Sequence, residues 1–349
     1  MKVLENISLA PLTTFGIGGP ARWFIEATSE AEVVEASEWA RGRGVSLFVL
    51  GGGSNVLVAD VGFAGLVLHV AVKGIARDGD LYHVGAGNDW DGFVEEAVLN
   101  RCAGIECLAG IPGTVGGTPV QNVGAYGQEV ASSIESVRAF DLVAREFVEF
   151  ANAECGFAYR RSRFNSKDRG RYVVTRVDYR LRVDGAPNLR YADVQRAMEA
   201  SGNAGGTGSL AEVAAVVRQI RRSKGMLLVE GDADARSAGS FFKNPAVTPE
   251  VAEHVRQIAA DLGVAVRDFP AGDGMVKIPA AWLIEQSGFA KGYRLGGAGI
   301  STKHTLALTN RGGAKAEEVL ALAAKISAAV EAKFGIRLER EPELVGFGK

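Results

Sequence analysis

The sequence predicts an α+β fold spread over more than one domain, and three observations carry that reading. Short apolar/polar alternations dominate the first half, giving many strands and few helices. At 349 residues the chain is longer than a single core usually supports. The last third has its own set of helices and strands and reads as a separate domain. Composition agrees: 47% hydrophobic and 23% charged residues are ordinary for a well-packed chain. The 45 glycines cluster between apolar runs with no fixed period, which excludes collagen and repeat architectures.

The elements follow in order. Ser29 and Glu32 stand in capping-box spacing, so a helix is expected over about 30–42. "VSLFVLGGGSNVLVAD" reads as a strand, a turn at Gly51-Gly52-Gly53-Ser54-Asn55, and a second strand. A dinucleotide fingerprint would need a helix after the glycines, and none follows. "LVLHV" and "LYHVGAG" alternate as strands, and Trp90, Phe93, Val94, Ala97 and Val98 then take helical spacing. "SVRAFDL" and "REFVEF" are short strands, followed by a longer one over Tyr172–Val183 with Val173, Thr175, Val177, Tyr179 and Leu181 on one face.

"GTGSLA" (Gly206–Ala211) matches G-x-G-x-x-A, but no strand precedes it; Ser209 and Glu212 instead form a capping box for a helix through about Arg222. Helices over about 248–262 and 314–334, strand material at "HTLALTN" (304–310) and a closing strand over 335–349 complete the set.

Charge and rare residues exclude several functions. A net charge of −2 argues against a general nucleic-acid partner. No apolar run approaches the roughly 20 residues of a membrane span. The first residues lack the apolar core of a signal peptide, so a cytoplasmic location without membrane partners is expected. Cys102, Cys107 and Cys155 form no C-x-x-C pair, and His69, His83, His254 and His304 lack ligand spacing. Structural roles are expected for all seven, with no metal site. The one basic cluster, "YRRSRFNSKDRGR" (Tyr159–Arg171), has a solvated loop as one of its readings.

The chemistry points to glycine. "GIPGTVGGTPVQNVGAYGQE" (Gly110–Glu129) holds six glycines, two prolines and no basic residue. With the turn at 51–55 it makes two stretches where successive backbone N–H groups can face an anion. Two tight structural turns are the alternative; the pair favours a diphosphate held by backbone and hydroxyls, hence a nucleotide-binding enzyme.

"TTFGIGGPA", "LGGGSN", "HVGAGNDW", "GIPGTVGGTPVQNVGAYG", "YRRSRF" and "GSFFKNP" occur in an order that resembles the UDP-N-acetylenolpyruvoylglucosamine reductase family over nearly the whole chain. The resemblance implies a two-subdomain FAD-binding fold of the PCMH/vanillyl-alcohol-oxidase type plus a C-terminal α+β substrate-binding domain. It places the FAD subdomains at 1–71 (with 335–349 returning to the first) and 72–228, and the substrate domain at 229–334. It implies hydride transfer from NADPH through non-covalent FAD to UDP-N-acetylglucosamine enolpyruvate, in peptidoglycan precursor synthesis, with no obligate protein partner.

The FAD contacts it carries over are Gly51, Gly52, Gly53, Ser54 and Asn55, then Ile111, Pro112, Gly117, Thr118, Val120 and Gly124, with Tyr159 and Val174. Ser240 matches the family's proton donor, Arg160 the arginine that pairs with the developing enolate, and Glu341 the catalytic glutamate. Tyr126, Tyr191, Lys224, Asn244 and Gln286 resemble substrate contacts, Tyr191 on a mobile loop of the subtype with an extra split β-α-β insertion.

Two departures matter. The chain reads Glu341-Pro342-Glu343 where the best-known family member has Glu-Val-Arg, and spacing alone does not choose Glu341 over Glu339 or Glu343. Four extra residues stand between Lys224 and Ser240. The rival readings are an FAD-linked sugar or alcohol oxidase, which often carries a flavin-anchoring histidine missing from this glycine turn, and a non-catalytic binding protein.

Overall fold

A computed structural model describes residues 1–202 and 208–348, in two compact units. The first comprises Met1–Leu12, Pro20–Ser54 and Gly62–Ser223; the second comprises Thr13–Gly19, Asn55–Val61 and the chain from Lys224 onward.

In the first unit, Leu4–Ser8, Pro20–Ala27, Phe63–Val70 and Leu47–Leu50 form a four-stranded sheet in that order, antiparallel at the first pair and parallel at the others. The expected helix is Glu30–Gly42 (α1), and it buries Val33, Ala36 and Ala40. Ser29 Oγ accepts the Glu32 N–H at 3.3 Å, but the Glu32 carboxylate bonds the N–H and hydroxyl of Thr28, both at 2.8 Å, one residue earlier than a capping box has it. Trp90–Leu99 (α2) is capped by Asp89 and buries Trp90, Phe93, Val94 and Ala97 of the expected stripe, while Val98 is half-buried.

The second sheet of this unit has five antiparallel strands, in the order Glu146–Ala151, Ile134–Asp141, Tyr172–Arg180, Leu81–Gly85, Ile75–Asp78. In its central strand the expected face is buried. Val174 and Asp178 are buried as well as Val173, Thr175, Val177 and Tyr179, Asp178 beneath its pairs with Arg176 and His83. The ladder also stops at Arg180, and Arg182–Val183 pair instead with Cys102–Ala103. Glu30 at the start of α1 joins this sheet to the helix, accepting from Arg138 Nε and Thr175 Oγ1, both at 2.8 Å.

Ala192–Ala200 (α3) is not among the expected elements; it buries only Val194 and Met198, too thin a stripe to read as periodic. Leu210–Ser223 (α4) has a true capping box, with the Ser209 N–H on Glu212 at 2.7 Å and the Glu212 N–H on Ser209 Oγ at 3.2 Å. Gly206 and Thr207 of "GTGSLA" lie outside the described residues.

In the second unit, two three-stranded sheets accompany the helices Pro249–Asp261 (α5), Ala280–Gln286 (α6) and Ala316–Phe334 (α7). Phe15, Phe241, Phe242, Leu283, Ile300, Leu322 and Phe334 share its core. Asp60 accepts the N–H groups of Ala316 and Glu317 at 2.9 and 3.2 Å, capping α7. The closing strand shrinks to Glu343–Val345, parallel to Val56–Val58, and of 304–310 only Leu308–Asn310 is strand. Pro342 has no N–H to extend the ladder, which accounts for the late start of the closing strand.

Candidate active site

Within the first unit the two glycine stretches meet backbone to backbone. A Cβ on Gly52 would stand 2.5 Å from Gly113 Cα, one on Gly51 2.8 Å from Thr114 Oγ1, and one on Gly113 2.7 Å from Ser54 Oγ. Gly53 at φ +61° and Gly113 at φ +127° are in conformations that favour glycine. The N–H groups of Gly52, Gly53, Ser54, Gly113 and Thr114 donate no hydrogen bond to protein among the described residues. Five free donors on two touching turns are what an anion nest requires. Gly117 is open on its outer side, while Thr118 is buried with its hydroxyl shared between Val115 O (2.8 Å) and Tyr179 Oη (2.6 Å). Ile111, Pro112 and Val120 are half-buried along the same loop. Val174 lies in the central strand with its side chain in the core, so only its backbone can face a cofactor.

The long loop has no basic residue of its own, but an arginine holds each end. Arg160 Nη2 donates to Gly124 O at 2.8 Å, and Arg221 Nε donates to Gly110 O at 2.9 Å. Arg160 has φ +54° and lies over the Tyr159 ring at 5.3 Å. Ser162 Oγ donates to Val120 O at 2.6 Å, and the buried Asn122 donates to Glu129 at 2.9 Å and to Ala158 O at 3.1 Å. The basic segment is thus bonded to the glycine loop, and two of its other arginines are paired: Arg163 with Asp168 and Arg171 with Asp141. Tyr159, Arg161, Lys167 and Arg169 are exposed, so a solvated loop describes part of the segment but not the stretch at Arg160 and Ser162 that holds the glycine loop. Tyr126 meets Tyr191 edge to face at 5.5 Å, and Tyr191 occupies the N-cap position of α3.

Arg221 and Asn122 are contributors that the sequence reading missed. Arg221 is 6% exposed on the α4 face that carries Leu210, Val213, Ala214 and Val217. A charged residue on an apolar helical stripe was the available signal. Burial pushes its pKa down, against Tyr126 and Asp91, which favour the charged form.

In the second unit Ser240 and Glu341 lie on adjoining segments. The Glu341 N–H donates to Phe241 O and the Lys243 N–H to Glu339 O, both at 2.9 Å, with Phe242 and Arg340 paired between them. Ser240 is half-buried, and its hydroxyl has no protein partner among the described residues. Glu339 is an exposed residue paired with Lys243 Nζ at 3.4 Å. The Glu343 N–H donates to Asn55 O at 3.0 Å, so the chain passes from one neighbour to the other across Pro342, where no donor is needed. Asn244 Oδ1 accepts the Ala280 N–H at 2.9 Å and so caps α6, whose last residue is Gln286. Lys224 directly follows α4 and is half-buried.

Burial pushes the Cys107 and Cys155 thiols up, Cys155 to about 12, which suits inert core residues. Among the described residues no cluster of three His, Cys, Asp or Glu side chains could hold a metal.

A glycine cradle of free N–H donors, with its arginines tied to the loop ends, fits a flavin nucleotide, and residues 21–146 match the FAD binding domain model. The chain is a flavoprotein of the oxidoreductase class. Residues 232–345 match the C-terminal domain model of UDP-N-acetylenolpyruvoylglucosamine reductase. The chain is 49% identical to the enzyme of that name from Streptomyces coelicolor, over 98% of this chain and 90% of the relative. It is 46% identical to the Thermobifida fusca enzyme over 98% of each. The crystal structure of the Thermus caldophilus reductase superposes with a TM-score of 0.68 at 28% identity, covering 99% of both chains. The chain therefore belongs to the UDP-N-acetylenolpyruvoylglucosamine reductase family, enzymes that use FAD and NADPH.

Proposed function

We propose that the chain reduces UDP-N-acetylglucosamine enolpyruvate to UDP-N-acetylmuramate, with Ser240 delivering the proton that completes the product. The observation that carries this reading is the pairing of the Ser240 segment with the Glu341 segment, which leaves a half-buried hydroxyl uncommitted on the stretch bonded to the one that carries Glu341. FAD, held by the Gly51–Ser54 turn and the Gly110–Gly124 loop, supplies when bound a hydride that NADPH provides. Addition of hydride to the terminal enolpyruvyl carbon places negative charge on the carbon next to the carboxylate. Arg160 is the cation we assign to that charge, because a fixed guanidinium costs no reorganisation as the charge develops. Ser240 then gives its hydroxyl proton to the carbon, and Glu341 is the third member of the catalytic set.

Tyr126, Tyr191, Lys224, Asn244 and Gln286 are assigned to the sugar nucleotide, a polar set suited to a diphosphate and a base. We assign the reaction to the cytoplasm; no helix among the described residues is long and apolar enough to cross a membrane. In Ser240→Ala, reduction of the flavin by NADPH is expected to proceed as in the parent, while reoxidation by the enolpyruvyl substrate slows by about a hundredfold or more. Anaerobic stopped-flow absorbance separates the two steps, and equal loss in both would remove Ser240 from its role.

A further inference from the structure

Ser240 ends a segment that begins at a buried carboxylate with an arginine partner. Asp234 accepts from the Thr302 N–H at 2.8 Å, from Thr302 Oγ1 at 2.6 Å and from Arg311 Nη1 at 2.6 Å. The Asp234 and Arg311 side chains are only 8% and 6% exposed. The Nε of Arg311 is buried without a hydrogen-bond partner among the described residues, so its charge is balanced through Asp234. Asp232 takes the Asp234 N–H at 2.9 Å and pairs with Lys303 Nζ at 2.6 Å. Both acids therefore dock on the 301–311 segment, whose last part is the strand Leu308–Asn310.

Between Asp234 and Phe241 the backbone is pinned repeatedly. Arg236 O accepts the Asn310 N–H at 2.9 Å, Ser237 O accepts the Thr14 hydroxyl at 2.6 Å, and the Phe241 N–H donates to Leu306 O at 2.7 Å. Ser240 lies between the last two anchors. Gly225, next to Lys224, has φ +63°, and a Cβ there would stand 2.9 Å from Asp234 Cβ. The same aspartate thus packs against the Lys224 turn and begins the Ser240 segment.

We propose that Asp234 is the positioning residue for Ser240, fixing through Thr302 and Arg311 the backbone that aims the serine hydroxyl. The proposal rests on Ser240 being the proton donor. Asp234→Asn keeps the shape but sets an amide against the Arg311 guanidinium, which releases the segment at its origin. Small misplacement of a catalytic group is enough to cost orders of magnitude in rate.

The test is a double-mutant cycle on FAD-loaded enzyme, with flavin reduction by NADPH and reoxidation by UDP-N-acetylglucosamine enolpyruvate followed anaerobically. Asp234→Asn is expected to slow reoxidation by about ten- to a hundredfold while reduction stays within about twofold. In a Ser240→Ala background the same substitution should slow reoxidation by less than about twofold, because the group it positions is gone. Equal slowing in both backgrounds, or none in the parent, overturns the proposal. Unslowed reoxidation in Ser240→Ala alone would instead remove the serine's role, and with it this inference, a result distinguishable from the first. If Asp234→Asn does not retain FAD, Thr302→Val in the same cycle deletes one donor but keeps the ion pair. It should slow reoxidation in the same sense, and no slowing there also overturns the proposal.

Discussion

At Gly52 a single methyl group would sit 2.5 Å from the Cα of Gly113 and 2.9 Å from the nitrogen of Thr114. Those are backbone atoms, so neither turn can yield without opening the nest. Gly52→Ala is expected to weaken FAD binding by about tenfold or more, since overpacking of this kind costs roughly 1–3 kcal/mol. Titration of apoprotein with FAD, read by quenching of flavin fluorescence, checks this, and unchanged affinity would mean the turns do not hold the cofactor.

At this scale the sequence was legible where a residue type is demanded by backbone geometry, as at Gly53 and Gly113. It was not legible where two distant segments meet. Nothing local to Arg160 or Arg221 says that their guanidinium groups bond the carbonyls of Gly124 and Gly110. The pairing of Glu339 with Lys243 at the surface likewise depends on a distant segment that spacing within the closing residues does not reveal.

At the scale of elements, helices with strong stripes and caps were readable from periodicity. Weak ones were not: α3 buries two side chains and α6 is seven residues long. The strand ends depended on pairing rather than propensity, as the break after Arg180 shows. The end of Ile134–Asp141 gives a pH prediction. Arg171 donates to Asp141 at 2.6 Å, and the N–H groups of Val143 and Ala144 also point at it. The Arg171 bond, against burial and with those two N–H groups, holds the carboxyl down at about 2.

Because the folded pKa is depressed, the stabilisation is complete above the ordinary aspartate value of ~4 and is lost as pH falls through that value toward about 2. Asp141→Asn should therefore have a lower Tm at pH 6 and a flatter decline in Tm between pH 4 and 2.5 than the parent. Parallel declines in thermal melts would contradict this.

For the whole molecule, α+β class and the presence of more than one folding unit could be read from length and patterning. The route of the chain could not. It leaves the first unit at Thr13–Gly19 and again at Asn55–Val61, excursions too short to shift composition or periodicity. The first glycine turn is consequently divided between units after Ser54, although its residues read as one motif. Family membership was legible because the most distinctive motifs are loops, where backbone conformation and ligand contact constrain residue type more tightly than packing does.

The central claim is that the two glycine turns hold a flavin that passes reducing equivalents from NADPH to an enolpyruvyl sugar nucleotide. The most direct measurement is the visible spectrum of the purified protein under anaerobic conditions, after NADPH and then after UDP-N-acetylglucosamine enolpyruvate. A flavin band that bleaches with NADPH and returns on adding that substrate is the predicted result. A band that returns only when oxygen is admitted, or no band even after reconstitution with FAD, would contradict it.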